Sequence, residues 1–174
     1  EDYPPLGDYW HAFWYLVTAG TFGWEGTYAL SFLTMMWVTV LCLYWFGKSH
    51  WGPVAGTLLG MFFLLDAGAY REGGWNYTVQ WGVWPQVFST GLCYGAYASF
   101  RSLVGRFSLP GFVRSAVFVG ASMLAHPMAL IVYLVGLPIW LLAMWFDRVG
   151  EERSPLVFVP FACVLGLVLA AYWW

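Results

Sequence analysis

Residues Thr27–Phe46, TYALSFLTMMWVTVLCLYWF, decide the fold class, because the whole run contains no charged side chain. A helix needs about 20 mostly apolar residues to cross the hydrocarbon core of a bilayer. This run has that length and predicts a membrane-spanning helix. The composition agrees: 61% of the 174 residues are hydrophobic and only 9% are charged, against about 25% charged residues in soluble domains. We therefore expect an integral membrane protein.

Further apolar segments follow along the chain. Four more qualify and a sixth closes the chain, and these are Trp51–Tyr70, Pro85–Phe100, Phe112–His126, Met128–Phe146 and Leu156–Trp174. The fourth span, about 15 residues long before His126-Pro127 interrupts it, is either a full crossing or a shorter half-helix that ends below the surface. Tyr9–Gly20 (YWHAFWYLVTAG) is aromatic but too short to cross, which is typical of a helix lying in the membrane interface. The predicted fold is all-α, a single polytopic transmembrane helix bundle (1–174) of about five to six spans plus an N-terminal interfacial helix.

The basic residues give an orientation, because cytoplasmic loops retain Lys and Arg. With the N-terminus external, Arg71 is the only basic residue in the predicted external loops. The opposite, cytoplasmic side carries six basic residues, namely Lys48, Arg101, Arg106, Arg114, Arg148 and Arg153. Residues 1–26 then form an external segment and 71–84 an external aromatic loop, and His50 falls beside Lys48 as a solvated loop residue.

Charge and cysteines exclude other classes. The net charge of −2 gives no basic surface, so we expect no nucleic-acid partner. The three cysteines are odd in number and show no C-x-x-C spacing, which indicates neither a disulfide framework nor a zinc site. The chain opens with Glu1 rather than Met and stops at Trp174 inside an apolar run, which predicts a processed or partial chain with further segments or subunits as partners.

Small residues at a spacing of four predict close helix packing. Gly52, Gly56 and Gly60 form such a ladder on the second predicted span, and Gly91 and Gly95 repeat it on the third. Glycines at this spacing let helix backbones approach one another closely.

Unusual polar residues gather on the predicted external side. Asp8 and His11 precede the first span, Asp66 and Arg71 follow the second, and His126 ends the fourth. Ionisable groups at membrane depth are costly and face a bundle interior or a watery cavity. Asp66 and His126 are therefore the strongest functional candidates by this criterion.

Each of these positions also has a structural interpretation. Asp66 could form an ion pair with Arg71, and His126 could cap the helix before Pro127, which cannot continue the hydrogen-bond ladder. Asp8 and His11 are three residues apart and share one helix face, so they could bind a divalent metal or a phosphate, or anchor an interfacial helix in water. The loop with Trp75 could stack on sugar rings or sit among lipid headgroups.

The order of these features resembles the GT-C superfamily of polytopic membrane glycosyltransferases, in particular its uncharacterised bacterial and archaeal members. The resemblance covers roughly residues 1–135. It rests on the acidic residue shortly before a histidine in Asp8-Tyr9-Trp10-His11, on the acidic, glycine-rich segment from Asp66-Ala67-Gly68 through Gly73-Gly74 to Trp81-Gly82-Val83-Trp84-Pro85, and on Ala125-His126-Pro127-Met128.

The resemblance implies sugar transfer from a polyprenyl-phosphate donor on the external face of a bacterial or archaeal cytoplasmic membrane. It further implies that an external carboxylate acts as the base or helps to hold a divalent metal. Asp8 takes that role on this chain, with Asp2 or Glu1 as a second carboxylate. Arg71 would contact the donor phosphate, and His126 would assist from across the cavity.

Two other function classes stay open. The chain could be a non-catalytic subunit of a photosynthetic or respiratory membrane complex, with His11 or His126 ligating haem or chlorophyll. It could also be a transporter in which Asp66 and His126 line a path, although both lie toward one face of the predicted membrane.

Overall fold

Helices dominate the structure. A computed structural model of the chain describes residues 6–66, 78, 84–147 and 154–171, and every regular element in these ranges is helical. The helices are α1 Leu6–Val17, α2 Gly23–Trp51, α3 Pro53–Leu65, α4 Trp84–Gly105, α5 Leu109–Ala125, α6 Met128–Ile131, α7 Leu137–Asp147 and α8 Phe158–Ala170. A π-helical turn, Val132–Gly136, joins α6 to α7, and a 3₁₀ turn, Ser154–Val157, precedes α8.

Glycine, proline and serine mark the helix boundaries. Gly52 ends α2 with φ +94° and α3 begins immediately at Pro53, because glycine accepts positive φ and proline suits the first helical turn. Ser108 caps α5 by accepting a hydrogen bond from the Gly111 N–H at 3.2 Å, as expected of an N-cap serine. The chain thus reverses direction sharply between α2 and α3.

Helix α4 lies at the centre of the described bundle. It packs against α2, α5, α6 and α8, and its Phe100, Leu103 and Val104 are fully buried. Ser99 of α4 and Ser115 of α5 share a buried hydrogen bond of 2.8 Å, so polar groups in this core are paired as burial requires.

The predicted glycine packing is confirmed at four of its five positions. Gly56 and Gly60 of α3 pack on α2, Gly91 of α4 lies against Thr39 of α2, and Gly95 lies between Phe118 and Cys42. The prediction is wrong for Gly52, where an added Cβ would meet nothing within 4 Å. Its role is the positive-φ turn described above.

We expect Gly56→Val to destabilise the protein by about 1–3 kcal/mol, the usual cost of overpacking. A Cβ at this position would meet the Tyr44 carbonyl oxygen and come within 2.9 Å of the Lys48 nitrogen, both backbone atoms of α2. Denaturant titration of the purified protein measures the change. Gly105→Val is the matched control, because a Cβ at Gly105 meets nothing within 4 Å, and equal losses in the two variants would contradict the packing role of Gly56.

Where the structure describes them, the predicted spans are largely helical. The helices differ in whether their length and apolar character suffice to cross a membrane. Within the described residues, Gly23–Trp51 and the continuous helical stretch Met128–Asp147 are long and apolar enough to cross. Three further helices, α3, α5 and α8, are apolar but have 13, 17 and 13 residues. Helix α4 has 22 residues but is less apolar, since glycine, serine and tyrosine occupy much of it. Helix α1, Leu6–Val17, overlaps most of the segment Tyr9–Gly20 that was predicted as an interfacial helix.

Candidate functional site

Asp8 and His11 lie together at one end of the bundle. They line a small cavity of about 20 Å³ whose other walls come from Gly7 of α1, from the stretch Tyr28 to Met35 of α2 and from Trp84 at the start of α4. Such a volume holds about one water molecule. Asp8 is exposed and His11 is buried, so a ligand larger than water would meet the Asp8 carboxylate from outside.

The His11 ring is held in one orientation by two aromatic neighbours and a carbonyl. Its centroid lies 4.0 Å from that of Trp24 and 5.4 Å from that of Tyr28. Its Nε2 lies 3.2 Å from the Trp24 carbonyl oxygen. Because a carbonyl only accepts, Nε2 carries the proton in this contact, and Nδ1 of the neutral ring is left as the acceptor.

Trp10 fastens α1 to α2 and α4. Its indole N–H lies 2.9 Å from Thr34 Oγ1 and 3.2 Å from the Ser31 carbonyl oxygen, so it donates into α2. Its ring lies 5.8 Å from that of Phe88 on α4. Trp10 therefore fixes the position of Asp8 and His11, which lie on either side of it in the same helix.

Gly7 lets α1 approach α4 closely. A Cβ on Gly7 would lie 2.5 Å from the Trp84 ring atoms Cη2 and Cζ3. The Trp84 ring also meets Tyr28 edge-on, with centroids 6.2 Å apart. Trp84, which the sequence placed in the external loop, is thus the first residue of α4 and a wall of the cavity.

His126 lies at the same end of the bundle, beyond α4. It follows Ala125, which is buried in one hydrophobic cluster with Phe88 and, at its edge, Trp10. It ends α5, as the capping interpretation predicts, with its N–H bonded to the Ser122 carbonyl. Its ring also serves the next helix, because Nδ1 accepts the Met128 N–H at 3.1 Å.

Partial burial lowers the pKa of His126 below its ordinary value, because desolvation disfavours the imidazolium form. The unfolded chain therefore takes up this proton at higher pH than the folded chain. The stability that neutral His126 contributes is present above pH about 6.5 and is lost as the pH falls from there through the lowered folded pKa.

We expect His126→Asn to reduce the loss of thermal stability between pH 7.5 and pH 5. Asparagine keeps an oxygen that can accept the Met128 N–H and does not titrate in this range. Melting temperatures of the two proteins across the pH range measure the effect. Parallel pH profiles would contradict the assignment.

Asp66 does not join this cavity. It follows the last residue of α3 and is exposed beside Phe62 and Leu65. Helix α3 packs on the face of α2 that carries Val40, whereas Ser31, nine residues earlier, lines the cavity. Nine residues are two and a half turns, so the two contacts lie on opposite faces and α2 separates Asp66 from the cavity.

Several predicted site residues lie outside the described residues. They are Glu1 and Asp2 as further carboxylates, Arg71 as the phosphate ligand and Trp75 in the aromatic loop. Their roles, and the proposed ion pair between Arg71 and Asp66, stay predictions.

The metal prediction for Asp8 and His11 has a chemical constraint. Among the described residues, no three His, Cys, Asp or Glu side chains lie close enough together to hold a metal ion. A catalytic zinc site needs three protein ligands, so Asp8 and His11 alone do not make one. A magnesium ion needs only one or two carboxylates when substrate phosphates supply further oxygens, and the exposed Asp8 fits that arrangement.

The sequence interpretation was wrong about His50, which is not a solvated loop residue. It lies in the last turn of α2 and is partly buried, and its Nε2 accepts the Trp140 indole N–H at 2.9 Å. It lines a second, larger cavity at the opposite end of the bundle from Asp8. The available signal was Phe46, four residues earlier, because residues at this spacing lie on the same face of a helix. The rings of Phe46 and His50 lie 4.4 Å apart in the structure.

Comparison with protein-family models, with curated proteins and with solved structures finds no match to this chain.

Proposed function

We propose that this chain is a polytopic membrane protein of the GT-C-like type, which transfers a sugar from a polyprenyl-phosphate donor at the end of the bundle that carries Asp8. The single observation that carries the proposal is the pairing of an exposed carboxylate, Asp8, with a buried, oriented histidine, His11, around one cavity. The resemblance of the surrounding motifs supplies the reaction class.

The outward surface of the helices supports a membrane location. Large apolar side chains point outward along α2, α3, α7 and α8, and Trp37, Leu65 and Val168 are each more than 60% exposed. Contiguous exposed apolar surface marks a membrane or protein interaction site. A bundle of five to six spans would place this whole surface in lipid and would bring both ends of the bundle to the membrane faces.

The proposed reaction needs a base at the external end. The acceptor hydroxyl oxygen forms a bond to the anomeric carbon of the donor sugar, and the bond from that carbon to the phosphate oxygen breaks. The electron pair leaves with polyprenyl phosphate, and the Asp8 carboxylate takes the hydroxyl proton. General-base catalysis requires a carboxylate within hydrogen-bond reach of that hydroxyl, which the exposed position of Asp8 at the cavity mouth allows.

His11 has a positioning part in this proposal. Its Nε2 is engaged by the Trp24 carbonyl, so its Nδ1 is the only ring nitrogen left to contact water or a ligand in the cavity. An acceptor at this point would take a hydrogen bond from a neighbouring hydroxyl of the bound sugar, which leaves the proton of the reacting hydroxyl to Asp8.

Reconstitution tests the proposal directly. The purified chain in liposomes is incubated with polyprenyl-phosphate donors that carry radiolabelled mannose, glucose or arabinose and with a crude membrane extract as the source of acceptors. We expect one donor to lose its label to a product and to release polyprenyl phosphate. Failure to consume any donor, in a protein that keeps its helical content, would overturn the proposal.

A second candidate function is that of a non-catalytic subunit. Helix α7 is apolar and has no buried residue, which favours cover by partner helices as well as by lipid. In that case the purified native complex would contain other chains, and a visible absorption band would indicate haem or chlorophyll. Ligation by His11 through Nδ1 would keep the contact of its Nε2 with the Trp24 carbonyl.

A further inference from the structure

The structure contains a second cavity of about 660 Å³ at the opposite end of the bundle. Its size lies within the range of about 300–1,000 Å³ usual for small-molecule sites. The last turns of α2, the second half of α4 and the stretch from Val132 to Asp147 form its walls. We call it the Arg101 groove, after the arginine among its described lining residues.

The Arg101 groove is elongated along the helices. Its lining on one side runs from Val132 to Asp147, and fifteen residues of helix rise about 22 Å. Aromatic and aliphatic side chains line most of this length, among them Phe46, Tyr94, Ile139 and Trp140. A groove of this shape and polarity suits a hydrocarbon chain.

The deep end of the groove is shaped by the π-helical turn. The Tyr97 hydroxyl donates a hydrogen bond of 3.2 Å to the Val132 carbonyl oxygen. Both polar groups at this end of the groove are therefore paired with each other. Gly136, the last residue of the turn, leaves room for the same hydroxyl, which would lie 2.7 Å from an added Cβ. π-Helical turns of this kind occur frequently at functional sites.

The charged end of the groove lies at the helix termini. Arg101 Nη2 and Asp147 Oδ2 are 3.3 Å apart, and both side chains are partly exposed. His50 is neutral here, because its Nε2 accepts from Trp140 and its Nδ1 lies 2.9 Å from the Phe46 carbonyl oxygen, to which it donates. Among its described residues, the groove lining therefore presents one positive and one negative charge side by side.

We infer that the Arg101 groove binds one zwitterionic phospholipid of the phosphatidylethanolamine type. An acyl chain lies along the aromatic walls, the phosphate accepts from the Arg101 guanidinium, and the ammonium donates to the Asp147 carboxylate. A guanidinium matches phosphate oxygens in a bidentate fork. A purely anionic headgroup would leave Asp147 facing the phosphate, so the paired charges favour the zwitterion.

The ion pair can open for this headgroup at little cost, because exposed ion pairs contribute little to stability. The three helices that end beside it, α2, α4 and α7, would place it at the level of bilayer headgroups. The inference rests on the membrane location within the proposed function and is independent of the transfer chemistry at Asp8.

Native mass spectrometry of the delipidated full chain tests the inference. Dioleoyl phosphatidylethanolamine, phosphatidylcholine and phosphatidylglycerol are titrated separately. We expect one tightly bound phosphatidylethanolamine per chain and weaker binding of the other two lipids. Arg101→Gln should weaken phosphatidylethanolamine binding by about tenfold, the value of one charge-assisted hydrogen bond, and Asp147→Asn should shift the preference to phosphatidylglycerol.

Matched variants separate the groove from lipid bound elsewhere on the surface. Ala143→Trp adds bulk inside the groove and should abolish tight binding. Ala29→Trp adds the same bulk to an exposed position on α2, outside the groove lining, and should retain it. Arg106→Gln removes an exposed arginine at the same end of α4, outside the groove lining, and should have no effect.

Three results would overturn the inference. The first is equal binding of the three headgroups, and the second is a headgroup preference that neither Arg101→Gln nor Asp147→Asn changes. The third is a wild-type protein that binds no more lipid than Ala143→Trp, because a second copy or another chain covers the groove. Asp8→Asn should retain lipid binding, so a failure of the groove and a failure of the transfer reaction are distinguishable.

Discussion

Asp8→Asn is expected to lower the rate of sugar transfer by about 10²–10⁴-fold, the usual contribution of a general base. Asparagine keeps the size and hydrogen-bonding oxygen of the side chain but cannot take the proton of the acceptor hydroxyl. Because Asp8 is exposed at the first turn of α1, the substitution should leave the melting temperature nearly unchanged. Initial rates and thermal melts of the reconstituted protein measure the two effects separately.

Glu25→Gln is the matched control for this experiment. Glu25 is an exposed carboxylate in the first turn of α2, at the same end of the bundle, and it does not line the cavity of Asp8 and His11. It should retain nearly full activity. Similar rate losses in Asp8→Asn and Glu25→Gln would indicate that the negative charge of this surface matters rather than a base at Asp8.

The helices could be predicted from the sequence because apolar runs and their breakers are local signals. His126-Pro127 ends α5 where the fourth predicted span ends, whereas α2 continues past the predicted end at Phe46 to the break at Gly52-Pro53. The length of α4 was underestimated, since the prediction ended at Phe100 and the helix continues to Gly105. The sequence predicts a loop position for Arg101, but it lies within α4, because the exposed end of a helix accommodates an arginine that reaches a partner such as Asp147.

The candidate site could be predicted only in part, because lateral position around a helix depends on packing. The spacing of Asp8 and His11 is local, and the structure places both at one cavity. Asp66 is near the same end along the chain, but the tight packing of Gly56 and Gly60 on α2 places it on the other side of that helix. Trp10 and Trp84 carried no signal, because in a chain with 13 tryptophans no single one stands out.

Trp10→Ala is expected to release α1 from the bundle and to abolish the activity assigned to Asp8. The substitution removes the ring that contacts Phe88 and the N–H that donates to Thr34. Truncating a packed tryptophan to alanine costs about 3–5 kcal/mol, and this loss falls on one short helix whose other described contacts include those of Leu6, Gly7, His11 and Tyr15. Hydrogen exchange measured by mass spectrometry should show loss of protection in 6–17 with little change in α4.

Two further variants identify the cause of that effect. Trp10→Phe keeps an aromatic ring against Phe88 but loses the indole donor, so α1 should keep part of its protection and the activity should be intermediate. Trp37→Ala removes a tryptophan of α2 that is 61% exposed and should leave the exchange of α1 unchanged. If Trp10→Ala left α1 protected, or if Trp37→Ala exposed it equally, the attachment of α1 would depend on something other than Trp10. Because Asp8 and His11 reach the cavity only while α1 is docked, loss of transfer together with loss of α1 protection would link the packing of this helix to the proposed reaction.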